Sequence, residues 1–368
     1  MPVARLVVIA SAFVIAAPDQ VRGFSTRNPV PRMHWIPDQV RDDIAGVRDD
    51  IGGVRDDIAG VRDDIAGARN DNGISAIPLP LSEAPELSST TCVYLRPQRL
   101  GEALSALADQ PLTILAGGTD FYAARSGQAI TESVLDITAL PELRSLQDEG
   151  ARWRIGATVT WSQIVRATLP AQFRGLQLAA CDIGGIQVQN MGTLAGNVCN
   201  ASPSADGVPV LLTMDAQVEL ASLAGRRCVP LNEFVLGNRR TARLPGELVT
   251  AILVPRRERA RSSFLKLGNR RYLVISIAMV AVLIDTDADG VISHAGIAVG
   301  SCSEVAQRLR SLEQKLLGRH ATSGLSALAE AQDLQVLSPI DDVRGSAAYR
   351  RDAALTMVRR AIEEALHE

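Results

Sequence analysis

From Cys92 onward the apolar positions fall into short runs, each cut off by glycine, proline or a polar turn. Val93-Tyr94-Leu95-Arg96 reads as a strand stopped by Pro97, and Leu100 to Ala108 carries apolar residues at helical spacing. Leu112-Thr113-Ile114-Leu115 is a strand, and the helix after it, capped by Asp120, ends before Gly127. Val134–Ile137 and Trp153–Ala157 are strand-like, and Thr160 or Ser162 starts a helix through Ala167. Val208 to Met214 is a short apolar helix, Gln217–Leu220 alternates as a strand does, and Thr250–Pro255 is a further apolar strand. Beyond Ser262 come a strand at Ser263–Leu267 and a long apolar stretch, Tyr272 to Ile284, that fits either a core helix or a long strand. Val291–Gly300 pairs naturally with that stretch, and helices are expected at Glu304–Leu317 and Ala348–Leu366. Short strands and helices mixed without a regular βαβ rhythm predict an α+β fold.

The first quarter of the chain has a different texture. After Arg5 an apolar run, Leu6 to Ala17, matches the charged and apolar parts of a secretory signal but is short for a bilayer span. Pro18 follows directly, without a polar spacer and cleavage site. A seven-residue repeat then begins at Val40-Arg41-Asp42-Asp43-Ile44-Ala45-Gly46, with copies from Val47, Val54 and Val61 and a decayed copy from Ala68. Val and Ile at i and i+4 suit a coiled coil. Glycine in every copy opposes it, at about 1 kcal/mol each relative to alanine. The copies are nearly identical, as after a recent tandem duplication. Residues 1–87 are therefore read as an unstructured leader or the product of a start site placed too far upstream, with an oligomerising stalk as the alternative.

Composition narrows the function. A net charge of −3 leaves no basic excess for a nucleic-acid backbone. The basic run Arg256–Arg261 reads as a solvated loop. Five cysteines, at 92, 181, 199, 228 and 302, show neither paired zinc or redox spacing nor an iron–sulfur cluster pattern. They suit reduced thiols in a cytoplasmic protein, with export as the alternative if the N-terminal apolar run is a signal. The four histidines, at 34, 294, 320 and 367, lie too far apart to suggest a local metal site. No stable membrane insertion is expected.

Two glycine-bearing stretches carry the candidate chemistry. Leu115-Ala116-Gly117-Gly118-Thr119-Asp120 and Asn190-Met191-Gly192-Thr193-Leu194-Ala195-Gly196-Asn197 each follow apolar or β-branched residues that read as a strand. Glycine lets a phosphate approach backbone N–H groups closely, and two such loops could hold the two halves of a pyrophosphate. An ordinary tight turn would also explain Gly117-Gly118. In the second stretch Thr193 and Asn197 add hydroxyl and amide donors. Asp206, in the polar turn Ala201–Asp206, is either a helix cap or an acceptor for ribose or adenine groups.

Taken with Ile155-Gly156-Ala157-Thr158, Gln189–Asn197, Ala201–Asp206 and Phe264–Arg271, these stretches resemble, in order and spacing, the FAD-binding subunit or domain of molybdenum hydroxylases. That group includes bacterial xanthine dehydrogenase and the medium subunit of aerobic carbon monoxide dehydrogenase, and the likeness spans Tyr94 to Leu317. It implies a vanillyl-alcohol-oxidase-type FAD-binding domain over 88–258, followed by a smaller α/β C-terminal domain over 259–368. It implies FAD contacts at Ile114 to Phe121 and at Thr193 to Asn197, an acidic contact at Asp206, and Ile183, Val249 and Lys266 beside the flavin. Lys266 would stabilise reduced, anionic flavin; a surface lysine at a strand end is the other reading. Ala195 departs from the family by replacing a glycine common in the second loop. The xanthine dehydrogenase branch fits best, but the iron–sulfur domain that often precedes FAD there is missing, since the first quarter holds no cysteine. Molybdopterin and [2Fe–2S] clusters are therefore expected on partner subunits, a molybdenum-cofactor subunit and an iron–sulfur subunit, with NAD or O₂ as electron acceptor. A free-standing FAD module is the alternative.

Overall fold

The computed structural model describes residues 92–367, and the leader with its heptads lies outside that range. The described chain opens with β1 (Tyr94–Leu95), helix α1 (Leu100–Asp109), β2 (Thr113–Leu115), α2 (Thr119–Ala123) and β3 (Val134–Asp136). The three strands form a parallel sheet in the order β1-β3-β2. Its parallel pairing needs crossovers, which α1 and the segment holding α2 supply. Next come β4 (Leu146–Asp148), β5 (Arg152–Gly156), α3 (Trp161–Arg166), α4 (Arg174–Asp182), α5 (Ile186–Met191), α6 (Leu194–Asn200) and α7 (Gly207–Thr213). Thr160 starts α3 through a capping box with Gln163, as its sequence position suggests. Then follow β6 (Gln217–Ser222), β7 (Gly225–Pro230), α8 (Leu231–Phe234), the small hairpin β8 (Val235–Gly237) and β9 (Arg240–Thr241), and β10 (Leu248–Pro255). An antiparallel sheet in the order β4-β5-β10-β6-β7 results. The remaining elements are β11 (Arg261–Leu267), β12 (Ala278–Thr286), β13 (Ile292–Gly300), β14 (Gln307–Arg308), α9 (Arg310–Leu316) and α10 (Ala347–His367), and the four strands pair antiparallel in sequence order.

Several sequence expectations change here. Tyr272 to Ile284 is not one element: residues 272–276 are a loop, and only Ala278 onward is strand. Ladder partners on both sides, β11 and β13, settle the helix-or-strand question. The helix expected over Glu304–Leu317 shrinks to Arg310–Leu316, because Gln307 and Arg308 pair with β13 instead. Asp120 does not cap α2; Gly118 occupies that position in a left-handed conformation and Asp120 lies within the helix. The second glycine stretch does not follow a strand; it runs on from the end of α5 and is itself helical from Leu194, as α6.

Strand β12 is buried on both faces. Met279, Ala281 and Leu283 point into a core shared with the first two sheets, while Ala278, Val280, Val282 and Ile284 enter a second core. Alternation along a strand produces this split. The second core is completed by Leu312 and Leu316 of α9 and by Val358, Ala361 and Ile362 of α10. A charged joint ties α7 to the C-terminal strands: Asp215 accepts from Arg257 and from Arg308, each at 3.0 Å.

Candidate functional site

Leu115 leaves the parallel sheet into the first glycine turn. The N–H groups of Gly117, Gly118, Thr119 and Asp120 have no acceptor among the described residues. Four consecutive free donors at a strand-to-helix turn form a concave anion site. Both glycines are demanded by the geometry. A Cβ on Gly117 would stand 2.0 Å from the carbonyl oxygen of Met191, so the first turn lies directly on the second stretch. Gly118 has φ of +73°, and a Cβ there would come within 2.8 Å of the Tyr122 ring.

The second stretch is held from below. Thr160 and Thr193 form an isolated bridge, and Trp161 N–H donates to Gly192 O at 3.1 Å. Thr193 caps α6, its Oγ1 accepting from Gly196 N–H at 3.0 Å. That N–H is thus spent inside the protein, and so is that of Leu194, which donates to Val159 O at 3.2 Å. The N–H of Ala195 has no acceptor among the described residues and becomes the backbone donor of this stretch. Because an N–H and not a missing side chain is what is offered, the alanine that replaces the usual glycine leaves it available. Asn197 Oδ1 accepts from Gly207 N–H at 3.2 Å, which leaves its two amide hydrogens to donate elsewhere.

Both stretches line one cleft of about 1330 Å³. The structure brings all the sequence-selected residues to its wall except Leu194: Ile114 to Phe121, Ile183, Thr193, Ala195, Gly196, Asn197, Asp206, Val249 and Lys266. Leu194 is fully buried and turns into the core beside Val198. The cleft exceeds the size usual for small ligands and suits a dinucleotide. Polar donors at its waist and apolar walls at Ile183 and Val249 fit the two chemistries of FAD, a pyrophosphate and a flat ring system.

Asp206 stands at the start of α7 but does not cap it with its side chain. Instead its carboxylate accepts from Lys266 Nζ at 2.7 Å and from Ser276 Oγ at 2.8 Å. Lys266 also donates to Asp182 O, at 3.0 Å, next to Ile183. Burial pushes the Asp206 carboxyl above its ordinary value, and Lys266 and Ser276 pull against it. The Lys266 side chain is 8% exposed, so it is not a surface lysine. Ser276 escaped sequence reasoning, which saw only a small polar residue inside an apolar run. Arg125 also lines the cleft, its guanidinium 4.0 Å over the Phe121 ring. Among the described residues no cluster of His, Cys, Asp and Glu could hold a metal ion, and no helix is long and apolar enough to cross a membrane.

A glycine-turn nest packed beside a capped helix, both lining a cleft of this size, marks a dinucleotide-binding protein. Comparison with known proteins is more specific. Residues 87–257 match the family described as the FAD binding domain in molybdopterin dehydrogenase, and residues 263–365 match the CO dehydrogenase flavoprotein C-terminal domain. Subunit alpha of the 6-hydroxypseudooxynicotine dehydrogenase complex of Paenarthrobacter nicotinovorans is 31% identical over 282 residues, 74% of this chain and 94% of that protein. The carbon monoxide dehydrogenase medium chain of Hydrogenophaga pseudoflava is 30% identical over 280 residues, 74% of this chain and 96% of that protein. A solved structure of carbon monoxide dehydrogenase from the same organism superimposes with a TM-score of 0.68 at 29% identity, covering 75% of this chain and 97% of that one. The chain belongs to the FAD-binding subunits of the molybdenum hydroxylases. It is an oxidoreductase component with an FAD-binding domain followed by a C-terminal domain of the carbon monoxide dehydrogenase flavoprotein kind.

Proposed function

We propose that this chain binds one FAD and serves as the electron-transfer subunit of a xanthine dehydrogenase-like complex. Electrons enter from [2Fe–2S] clusters on an iron–sulfur subunit, released when a molybdenum-cofactor subunit oxidises a purine or aldehyde-like substrate, and leave to NAD⁺ or O₂. The observation that carries this reading is the row of four N–H groups at Gly117–Asp120 that have no acceptor among the described residues, set against Met191 and opening into the cleft. When bound, FAD supplies the redox chemistry that couples one-electron carriers to a two-electron acceptor.

The chain's own residues bind and orient it. Backbone donors at Gly117–Asp120 and Ala195 take the pyrophosphate oxygens, with the Asn197 amide beside them. Asp206 retains lone pairs for ligand hydroxyls, and Lys266 keeps one of its three N–H donors, since two are spent on Asp206 and Asp182. Ile183 and Val249 pack on the ring system and exclude water there. An FAD-binding domain over 88–258 and a C-terminal domain over 259–368 are the division we adopt. A cytoplasmic site of action is supported by Cys181, Cys199, Cys228 and Cys302, which form no disulfide.

The test is reconstitution. The purified chain should take up FAD one-to-one, contain neither iron nor molybdenum, reduce a dye slowly with NADH, and leave hypoxanthine untouched. Adding the cognate iron–sulfur and molybdenum subunits should restore substrate-dependent flavin reduction. A correctly folded chain that cannot be loaded with FAD, or one that hydroxylates substrate unaided, would overturn the proposal.

A further inference from the structure

We propose that Ser276 is a positioning residue of the flavin site: its hydroxyl fixes the Asp206 carboxylate, and through it the Lys266 ammonium, at the cleft wall. The inference rests on the reading of this cleft as the FAD site.

Three segments distant in sequence converge here. Asp206 ends the turn before α7, Lys266 lies on β11, and Ser276 closes the loop that leads to β12. All three line the cleft and all are nearly sealed from solvent: Ser276 is 2% exposed and Asp206 5%. The two carboxylate oxygens are divided between two donors. Lys266 takes Oδ2 at 2.7 Å and Ser276 takes Oδ1 at 2.8 Å. A carboxylate held at one oxygen can pivot about its side-chain bond; held at both it cannot. Lys266 is then fixed from two sides, by Asp206 and by the carbonyl of Asp182.

The Ser276 hydroxyl has no other acceptor among the described residues, so its one hydrogen is committed to Asp206. Deleting it would leave Oδ1 buried and short of a donor, a loss felt most by a charged acceptor. Lys266 and Ser276 are the groups that favour the ionised form of Asp206, while burial and the Asp182 carboxylate oppose it. Without Ser276 the balance moves toward protonation, and a protonated Asp206 no longer anchors the ammonium.

FAD titrated into the full-length chain, followed by quenching of flavin fluorescence from neutral to mildly acidic pH, tests this. The wild-type Kd should rise only toward the acid end of the range, where the Asp206 carboxyl, raised by burial, takes up its proton. In Ser276→Ala that rise should begin at higher pH, so that between the two onsets the Kd values differ by about tenfold, the equivalent of one hydrogen bond to a charged group. Ser276→Thr, which keeps the hydroxyl, should restore the wild-type profile. Combining Ser276→Ala with Asp206→Asn should give a level profile, at weaker affinity, because the titrating group is gone. Ser276→Cys, similar in size and a weak donor, carries the same expectation as alanine should the alanine variant not fold. An alanine profile running parallel to wild type, whatever its offset, would show that the hydroxyl only fills space and would overturn the inference. Failure of the wild-type chain itself to take up FAD is a different result; it removes the flavin reading and this inference with it.

Discussion

At the residue scale, the two adjacent glycines do different work. Gly117 is fixed by contact and Gly118 by backbone conformation. Gly117→Ala should therefore do more damage than its single methyl suggests. The methyl would push the Met191 carbonyl away and part the two FAD-facing stretches, at about 1–3 kcal/mol of overpacking. We expect flavin content after reconstitution to fall below a tenth of wild type, about the loss that 1.4 kcal/mol brings, with a lowered Tm. Gly118→Val should cost about 1–2 kcal/mol from its left-handed backbone alone, besides the clash with Tyr122. Flavin absorbance per mole of protein and a thermal melt check both. The glycines themselves were legible in the sequence as a turn, and it took the second stretch and the family resemblance to separate a ligand loop from an ordinary tight turn. What each glycine faces was not legible, since Met191 and Gly117 are brought together only by the fold. Asp206 likewise looked like a helix cap or a ligand contact, and its double engagement by Lys266 and Ser276, 60 and 70 residues away, had no local signal.

At the element scale, the second glycine stretch shows where local reading stops. A run of Thr-Leu-Ala-Gly-Asn is compatible with a loop or with a capped short helix, and Thr193 decides for the helix by accepting from Gly196. Thr193→Val should remove that cap at a cost of about 1 kcal/mol and release the start of α6. Reduced Tm together with weaker FAD binding is the expected outcome; a lowered Tm with unchanged affinity would mean that α6 does not present the ligand contacts. Tyr272 to Ile284 was ambiguous for a similar reason, because a continuous apolar run has no period to read. The antiparallel sheet of the first half carries a different device. Glu219, on β6, accepts from Arg154 on β5 at 2.6 and 2.9 Å, from Arg226 on β7 at 2.8 Å, and from Thr250 on β10. Burial pushes its carboxyl upward, but the Arg154 and Thr250 hydrogen bonds and the two guanidinium charges outweigh it and hold it down to about 2. A depressed carboxylate gives stability that is complete above its ordinary value and lost as pH falls through the folded one. Denaturant melts should accordingly weaken between pH 4.5 and about 2, and Glu219→Gln should flatten that part of the profile. Arg154→Ala, which leaves the buried charge to Arg226 and Thr250 alone, should cost about 1–3 kcal/mol at neutral pH.

At the scale of the whole molecule, the chain divides by texture. The repeats carry a glycine in every copy, and the family match begins at residue 87. A chain starting at Ser88 should keep the FAD content and Tm of the full-length protein; a large loss of either would show that the leader packs on the body. Within the body the mixed α+β class was legible from short alternating runs, but the arrangement of sheets was not, because strand partners such as β5 and β10 lie far apart in sequence. The sharing of β12 between two cores has a consequence for recombination among relatives. Grafting the C-terminal part of one such flavoprotein onto the FAD-binding part of another, at the break between residues 257 and 263 that separates the two family matches, would appear to be a clean exchange. It would not be one, because Phe264, Met279, Ala281 and Leu283 cross that seam and fill the neighbour's interior. A working chimera would have to inherit every second side chain of β12 from one parent and the intervening ones from the other, so the modular unit of this protein is the face of a strand and not a length of chain.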